Sequence, residues 1–178
     1  FGAMFEVAEA LGNVPCQLVV ICGRNEALRS RLRSHLWPGA VPLVLGFTSD
    51  VDVYMGAADC IAMKAGPGSI AEAMIKGLPC MLTSFIPGQE EGNVSFVVEG
   101  GAGAYVSDSQ PLRVAETVRS WLTHPQRLQD MSRCAKALAR PRATLQIARR
   151  LGRYLHLEPF GKHSCGGQDS GVDPACRC

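Results

Sequence analysis

The segment KAGPGSIAEAMIKGLPCML, residues 64–82, places two glycines and a proline between an apolar run and a helical pattern. The run before the glycines, CIAMK at residues 60–64, is typical of a buried strand. The run after them, SIAEAMIKG at residues 69–77, predicts a helix that Gly77 ends, with Pro79 just beyond. A strand, a glycine-containing turn and a helix in this order indicate one unit of an open parallel sheet.

The same alternation of strand and helix continues along the chain. Four further apolar runs predict strands, at residues 17–23, 41–47, 79–85 and 102–106. Helical patterns separate or follow these runs, at residues 25–36, 49–58, 94–101, 111–123, 125–139 and 143–157. The sequence therefore predicts an α/β fold, an open parallel sheet with helices on both faces, whose ligands bind at the carboxyl edge of the strands.

Length and composition fit one globular domain with a sizeable core. The chain has 178 residues, of which 47% are hydrophobic and 19% charged. The net charge of +2 hides a gradient, because residues 1–110 carry six basic and eleven acidic side chains whereas residues 111–156 carry ten and two. Charge alone favours a solvated helical face for the basic block, and the alternative is a surface that meets anionic lipid or nucleic acid.

The eight cysteines do not have the spacing of a disulfide scaffold or a zinc site. Four of them lie in or beside apolar runs, where we expect free thiols packed as small hydrophobic groups: Cys16, Cys22, Cys60 and Cys80. No stretch reaches the roughly 20 apolar residues of a membrane span. Residues 158–178 are rich in Gly, Pro, Ser and Asp without periodicity, which predicts a disordered tail.

The glycine-containing turn is expected at the ligand edge of the sheet, at the start of the helix over residues 69–77. A helix N-terminus has unpaired N–H groups and a partial positive charge, and glycine lets a phosphate approach the backbone closely. Main-chain N–H groups that would hold a diphosphate belong to Gly66, Gly68, Ser69 and Ile70, with the Ser69 hydroxyl as a further donor. The alternative is a tight turn without a ligand.

Motifs for other chemistries are missing. The turn lacks the G-x-x-x-x-G-K-[ST] spacing of a Walker loop, and the first strand is not followed by the G-x-G-x-x-G of an NAD site. The four histidines stand apart, without the spacing of a catalytic triad or a metal site, and no carboxylate pair of the glycosidase type is evident. We therefore expect no metal and no cofactor, and we assign no catalytic residue.

Five polar or aromatic side chains near this edge each allow two interpretations. Glu72 suits a bidentate acceptor for two ribose hydroxyls or a carboxylate favoured by the helix dipole. Gln89 and Glu90 in PGQEEGN suit sugar hydroxyls or a solvated loop. Phe47, which ends LGF, either contacts a nucleobase or packs in the core. Lys64 either neutralises a departing diphosphate or is an ordinary surface lysine.

Four motifs together resemble the C-terminal half of the monogalactosyldiacylglycerol synthases: QLVVICGRN, VLGF, CIAMKAGPGSIAEAMIKGLP and IPGQEEGNVSFVV. These are plant and algal plastid galactosyltransferases of glycosyltransferase family 28, related to the bacterial lipid II N-acetylglucosaminyltransferase. The resemblance covers roughly residues 5–157. It implies the Rossmann-like C-terminal lobe of a two-lobed GT-B enzyme, here residues 1–157, without the N-terminal acceptor lobe.

The resemblance also implies roles for individual residues. Gly46 and Phe47 would meet the uracil of UDP-galactose, and Glu72 the ribose. The diphosphate would contact Gly66, Pro67, Gly68, Ser69 and Ile70, with Lys64 beside it. The sugar would contact Gln89 and Glu90, with Asn93 close by. The catalytic base would belong to the N-terminal lobe, and a glycine-rich loop is expected just before residue 1.

The implied reaction transfers galactose from UDP-galactose to the sn-3 hydroxyl of diacylglycerol with inversion, at the chloroplast envelope. We interpret the chain as a fragment that binds the donor and does not turn over alone. Nucleic acid is not an expected partner. A peripheral contact with anionic membrane would use Arg140, Arg142, Arg149, Arg150 and Arg153.

Three alternatives remain open at this point. The first is a UDP-GlcNAc transferase of the same superfamily. The second is a stand-alone donor-binding subunit that works with a membrane-anchored partner, and the third is a non-catalytic nucleotide-binding module.

Overall fold

The computed structural model describes residues 3–155 of the chain. The described residues form two compact units, residues 3–140 and residues 141–155, and each is described by itself. The predicted disordered tail, residues 158–178, lies outside the described residues.

The first unit contains five strands and seven helices among its described residues. The strands are β1 Val19–Ile21, β2 Leu43–Leu45, β3 Ile61–Lys64, β4 Cys80–Ser84 and β5 Gly103–Tyr105. The helices are α1 Met4–Leu11, α2 Glu26–Ser34, α3 Val51–Ala57, α4 Pro67–Lys76, α5 Glu91–Glu99, α6 Pro111–Leu122 and α7 Pro125–Leu138. The second unit contains α8, Ala143–Tyr154.

All strand pairs in the described residues are parallel, which confirms the predicted α/β fold. β1 pairs with β2, and β4 lies between β3 and β5 in a separate three-stranded sheet. β4 is the most deeply buried strand, because it has a neighbour on both sides and helices over both faces: Cys80, Met81 and Leu82 are fully buried. The register shifts between Met63 and Lys64, at the end of β3 that leads into the glycine-containing turn.

α1 packs against residues of both sheets. Phe5 and Ala8 belong to a buried cluster with Val20 of β1 and Val44 of β2. Other α1 residues, Val7, Ala10 and Leu11, belong to a second cluster that contains Met81 of β4 and Trp121 of α6. The two faces of this one helix therefore connect the core under β1 and β2 with the core under β4.

Element boundaries differ from prediction where side chains compete with the backbone pattern. α2 begins after Asn25 as expected, because the Asn25 Oδ1 accepts from the Leu28 N–H at 3.0 Å. It ends at Ser34 rather than residue 36, since His35 is extended and the Trp37 Nε1 donates to the Leu32 carbonyl at 3.1 Å. The predicted helix over residues 94–101 begins at Glu91 instead and ends at Glu99.

The cysteines of the strands are free thiols, as predicted. Cys22 and Cys80 are buried, and Cys16 and Cys60 are partly buried. Burial raises the pKa of Cys60 to about 11 and that of Cys80 to about 12. These thiols therefore stay protonated at neutral pH and act as apolar packing groups.

Candidate functional site

After the glycine-containing turn, α4 begins at Pro67, two residues before the predicted start at residue 69. Gly66 is the N-cap and Pro67 the first helical residue, where a proline loses no hydrogen bond because that N–H has no partner within the helix. The Gly66 N–H donates to the Lys64 carbonyl at 2.8 Å, and the Ile70 N–H donates to the Gly66 carbonyl at 3.0 Å. The Gly66 and Ile70 N–H groups therefore already have main-chain acceptors in this structure, and the donors of the first turn without one belong to Gly68 and Ser69.

Gly68 is not required by the fold. Its φ is not positive, and a Cβ built at this position would meet no atom within 4 Å. Gly66 is similar, since its Cβ would meet only the Lys64 Cε, at 3.8 Å. Gly68 and Ser69 are exposed, so their N–H groups lie at the solvent-accessible start of α4, where the partial positive charge of the helix suits an anion.

Lys64 and Glu90 form an ion pair beside this turn. The Lys64 Nζ donates to the Glu90 Oε1 at 3.0 Å, and Glu90 is only 6% exposed. The other carboxylate oxygen, Oε2, accepts from the Ile86 N–H at 2.8 Å. The hydrogen bond from Ile86, followed by the one from Lys64, lowers the pKa of Glu90, so this carboxylate is ionised at neutral pH.

The pair ties the PGQEEGN loop to the turn, and Asn93 adds a second link. The Asn93 Nδ2 donates to the Ala65 carbonyl at 2.9 Å, which leaves its Oδ1 as an acceptor. Glu90 thus anchors the loop, and the alternative of a solvated position is wrong for this residue. Gln89 is exposed, and its side chain makes no hydrogen bond within residues 3–155.

The side chain of Phe47 lies at the end of β2 and is 71% exposed, so the alternative of core packing is wrong. The Arg24 guanidinium carbon lies 5.2 Å from the centre of its ring, a cation–π contact. Sequence reasoning missed Arg24, although an arginine directly after the strand-ending glycine in CGRN was the available signal. At the neighbouring Gly46, a Cβ would come within 3.3 Å of the Arg29 Nη1, so this glycine makes room for Arg29.

Glu72 is exposed on α4 and joins no ion pair within the described residues. Because α4 begins at Pro67, Glu72 is its sixth residue and lies in the second turn. The favourable effect of the helix dipole on a carboxylate falls off within the first turn. The dipole therefore does not explain the position of Glu72, and its role as an acceptor for ribose hydroxyls stays a prediction.

The structure thus shows two contact groups at this edge of the fold. One comprises the turn and the loop after β4, joined by Lys64, Glu90 and Asn93. The other comprises Arg24 and Phe47, at the ends of the paired strands β1 and β2. All these residues follow the carboxyl ends of parallel strands, where ligands of such sheets bind.

Comparisons with known proteins show the family of this chain. Residues 3–147 match the model of the glycosyltransferase family 28 C-terminal domain. The chain is 49% identical over 134 residues to a probable monogalactosyldiacylglycerol synthase 2, chloroplastic, of Oryza sativa subsp. indica. It is 45% identical over 157 residues to the chloroplastic monogalactosyldiacylglycerol synthase of Spinacia oleracea. These matches cover 75% and 87% of this chain but only 28% and 30% of the two relatives.

Solved structures with the same fold are glycosyltransferases. MurG of Acinetobacter baumannii superposes on 86% of this chain and 47% of its own, with a TM-score of 0.69 and 22% identity. WaaG, a glycosyltransferase involved in lipopolysaccharide biosynthesis, superposes on 84% of this chain and 42% of its own, with a TM-score of 0.61 and 19% identity. At these identities the likeness shows the GT-B fold alone. Among residues 3–155, no helix is both long and apolar enough to cross a bilayer.

Proposed function

The chain belongs to glycosyltransferase family 28, of which it carries the C-terminal domain, and on this premise we propose that it is the donor-binding lobe of a galactosyltransferase. The donor is UDP-galactose and the acceptor 1,2-diacylglycerol, so the product is monogalactosyldiacylglycerol. The relatives named monogalactosyldiacylglycerol synthase support this substrate pair. The observation that carries the proposal is the exposed start of α4, where the Gly68 and Ser69 N–H groups have no main-chain partner.

In the proposed donor complex the diphosphate lies at the start of α4. The N–H groups of Gly68 and Ser69 and the Ser69 hydroxyl donate to its oxygens, and the helix dipole adds to the attraction. Lys64 is half exposed and uses one of its three N–H donors for Glu90, so its other donors can reach the departing UDP. These groups stabilise the negative charge that develops on the leaving group during transfer.

The rest of the donor extends to either side of the diphosphate. Uracil stacks on the exposed ring of Phe47, with Gly46 and Arg24 beside it. Glu72 accepts from the ribose hydroxyls. Galactose meets Gln89, while Glu90 and Asn93 hold the loop in place and offer their remaining acceptor sites to the sugar.

An inverting displacement also requires a base that removes the proton of the acceptor hydroxyl. We place this base in the N-terminal lobe of the complete enzyme. The 178-residue chain on its own therefore binds the donor and does not transfer galactose to diacylglycerol.

Calorimetry with UDP, UDP-galactose and UDP-GlcNAc tests the donor site. We expect UDP-galactose to bind more tightly than the other two ligands. Glu72→Ala should weaken all three by about tenfold, roughly 1.4 kcal/mol, because they share the ribose. Gln89→Ala should weaken UDP-galactose and leave UDP unchanged. Absence of UDP binding would contradict the proposal. Tighter binding of UDP-GlcNAc than of UDP-galactose would mean that the donor sugar is N-acetylglucosamine and not galactose.

We further propose that the lobe contacts anionic lipid at the plastid envelope. The relatives are named chloroplastic, and α8 combines several arginines with apolar side chains and has no acidic residue. On the helix, Arg149 and Arg153 lie on one face, and Leu151 and Ile147 lie on the opposite side, with more than half of each side chain exposed. Arg140, Arg142 and Arg150 add positive charge.

Vesicle sedimentation tests the membrane contact. A variant with Arg149→Gln and Arg153→Gln should bind vesicles containing phosphatidylglycerol several-fold more weakly than the parent, since each arginine near an anionic surface contributes about 1 kcal/mol. Salt should weaken the binding of the parent more than that of the variant. Arg127→Gln with Arg133→Gln, on α7, is the control with the same change of charge. Equal binding of both double variants would contradict a specific role of α8.

A further inference from the structure

We propose that Arg24 determines which pyrimidine base the donor site accepts. Its guanidinium donates to the 4-carbonyl oxygen of a base that lies against the Phe47 ring, and it thereby favours uracil over cytosine. This inference rests on the proposed function, because it concerns the base of the donor nucleotide. It goes further by assigning the recognition of one atom of that base to one side chain.

The main chain fixes Arg24 at the carboxyl end of β1. Gly23, directly before it, has a φ of +57° and turns the chain away from the strand. The Asn25 N–H donates to the Cys22 carbonyl at 3.1 Å, and the Asn25 side chain caps α2. Arg24 therefore lies on a short turn that is held by a strand on one side and by a helix on the other.

The pairing of β1 with β2 brings Arg24 next to Phe47. Ile21 lies in register with Leu45, and the Cys22 N–H donates to the Leu45 carbonyl at 2.9 Å. The Arg24 guanidinium carbon lies 5.2 Å from the centre of the Phe47 ring. Both side chains are exposed. A planar base that contacts this ring therefore also comes within reach of the guanidinium.

Arg24 differs from two arginines of α2 in that its N–H donors are not used within the protein. In the described part of the chain, its guanidinium joins no ion pair and no hydrogen bond. By contrast, Arg29 pairs with Glu26 at 3.1 Å, and the Arg33 Nη2 donates to the Val44 carbonyl at 3.2 Å. A guanidinium has five N–H donors and no acceptor, so Arg24 can hydrogen-bond only to an acceptor atom.

A side chain that only donates distinguishes the two common pyrimidine bases. Uracil, like thymine, has a carbonyl oxygen at C4, which accepts a hydrogen bond, whereas cytosine has an amino group there, which donates. Arg24 therefore gains a charge-assisted hydrogen bond with uracil, and with cytosine it faces another donor. A site that hydrogen-bonds one ligand discriminates against an analogue that lacks the matching group.

A second cation–π contact in the same unit shows what a structural role looks like. The Arg31 guanidinium carbon lies 3.5 Å from the centre of the Phe5 ring, which is only 8% exposed and belongs to the core of β1 and β2. Arg31 also pairs with Glu6 at 3.5 Å. Phe47 is 71% exposed and belongs to none of the buried clusters of the described residues. Arg24 therefore contacts a ring that the core does not use.

Calorimetry with UDP and CDP on the 178-residue chain tests this inference. The two ligands share the diphosphate and the ribose and differ in the pyrimidine ring. We expect the parent to bind UDP at least about tenfold more tightly than CDP, the effect of one hydrogen bond to a charged group. Arg24→Met removes the donors and keeps an unbranched side chain beside Phe47. It should lower the affinity for UDP about tenfold and leave the affinity for CDP nearly unchanged.

Two further variants control for charge and for side-chain length. Arg31→Met removes the same charge and the other cation–π contact, and it should keep the preference of the parent for UDP. Arg24→Lys retains a charged donor and should restore part of the preference that Arg24→Met loses. Thermal melting of each variant establishes that the fold is retained.

An equal loss of affinity for UDP and CDP in Arg24→Met would overturn the inference, because the guanidinium would then act on a part that both ligands share. An unchanged preference for UDP in that variant, or equal binding of the two ligands by the parent, would also overturn it. If the parent binds neither nucleotide, the donor-site proposal fails and this inference fails with it. Binding of UDP without any effect of Arg24 overturns this inference alone, so the two failures are distinguishable.

Discussion

Gly68 and Gly103 are both glycines next to parallel strands, and they have opposite relations to the fold. A Cβ on Gly103 would overlap the carbonyl oxygen of Cys80 in the neighbouring strand, so β4 and β5 could not stay paired in their present register. A Cβ on Gly68 would meet nothing. The comparison separates a glycine that the fold requires from one that the fold does not require.

The largest effect is expected at the structural glycine. Gly103→Ala forces a methyl group against the backbone of β4, which cannot move away without breaking the sheet. We expect a loss of about 3 kcal/mol in the free energy of unfolding, at the upper end of the range for overpacked cores. Urea denaturation followed by circular dichroism measures it. A loss below about 0.5 kcal/mol would mean that β5 can shift, and the comparison would fail.

The second largest effect is expected at the turn, where one substitution should change the affinity for UDP without lowering the stability of the fold. Gly68→Ala should leave the free energy of unfolding unchanged or raise it by up to about 1 kcal/mol, because alanine is the better helix former. The methyl group occupies the space proposed for the diphosphate, so the affinity for UDP should fall at least about tenfold. Denaturation and calorimetry on the same preparation check both halves.

A matched substitution in another helix controls for the general effect of the change. Gly56 lies in α3, and its Cβ would meet only the flexible Lys76 Nζ, at 3.8 Å. Gly56→Ala should therefore resemble Gly68→Ala in stability and differ from it in UDP affinity. If both variants bind UDP like the parent, the open space at Gly68 has no part in donor binding.

The smallest effect is expected at Glu90 in the PGQEEGN loop, and it concerns the pH dependence of stability. The pKa of Glu90 is lowered in the folded protein, so its ionised form stabilises the fold above the ordinary carboxyl pKa of about 4.3. That contribution disappears as the pH falls through the lower folded pKa. The difference in melting temperature between the parent and Glu90→Gln should be constant from pH 6 to 8 and shrink below about pH 5. If the difference in melting temperature stays constant down to pH 3, the charge of Glu90 does not contribute to stability.

Local patterns in the sequence predicted most of the fold, because each element combines a hydrophobic period with its own start or stop signal. Pro111 and Pro125 begin α6 and α7 as expected. What failed depended on contacts between distant residues. The early end of α2 depends on the hydrogen bond from Trp37 to Leu32. The burial of Glu90 depends on its ion pair with Lys64, which lies at the end of β3.

The candidate site was predictable in position and less so in detail. The spacing of strand, glycine and helix located the turn, yet only the structure shows that Gly66 and Ile70 have used their N–H groups. Arg24 escaped notice because its partner, Phe47, is 23 positions away in sequence and adjacent only through the pairing of β1 with β2.

The far end of α4 has a consequence for binding. Gly77, with φ of +73°, closes the helix, and the Leu78 N–H returns to the Ala73 carbonyl at 2.9 Å. Ile70, Ala73 and Met74 are at most 4% exposed. A helix fixed at its base and along its inner side has little freedom to lose when a ligand arrives, so its amides are preorganised and the entropic penalty of association falls instead on the ligand itself.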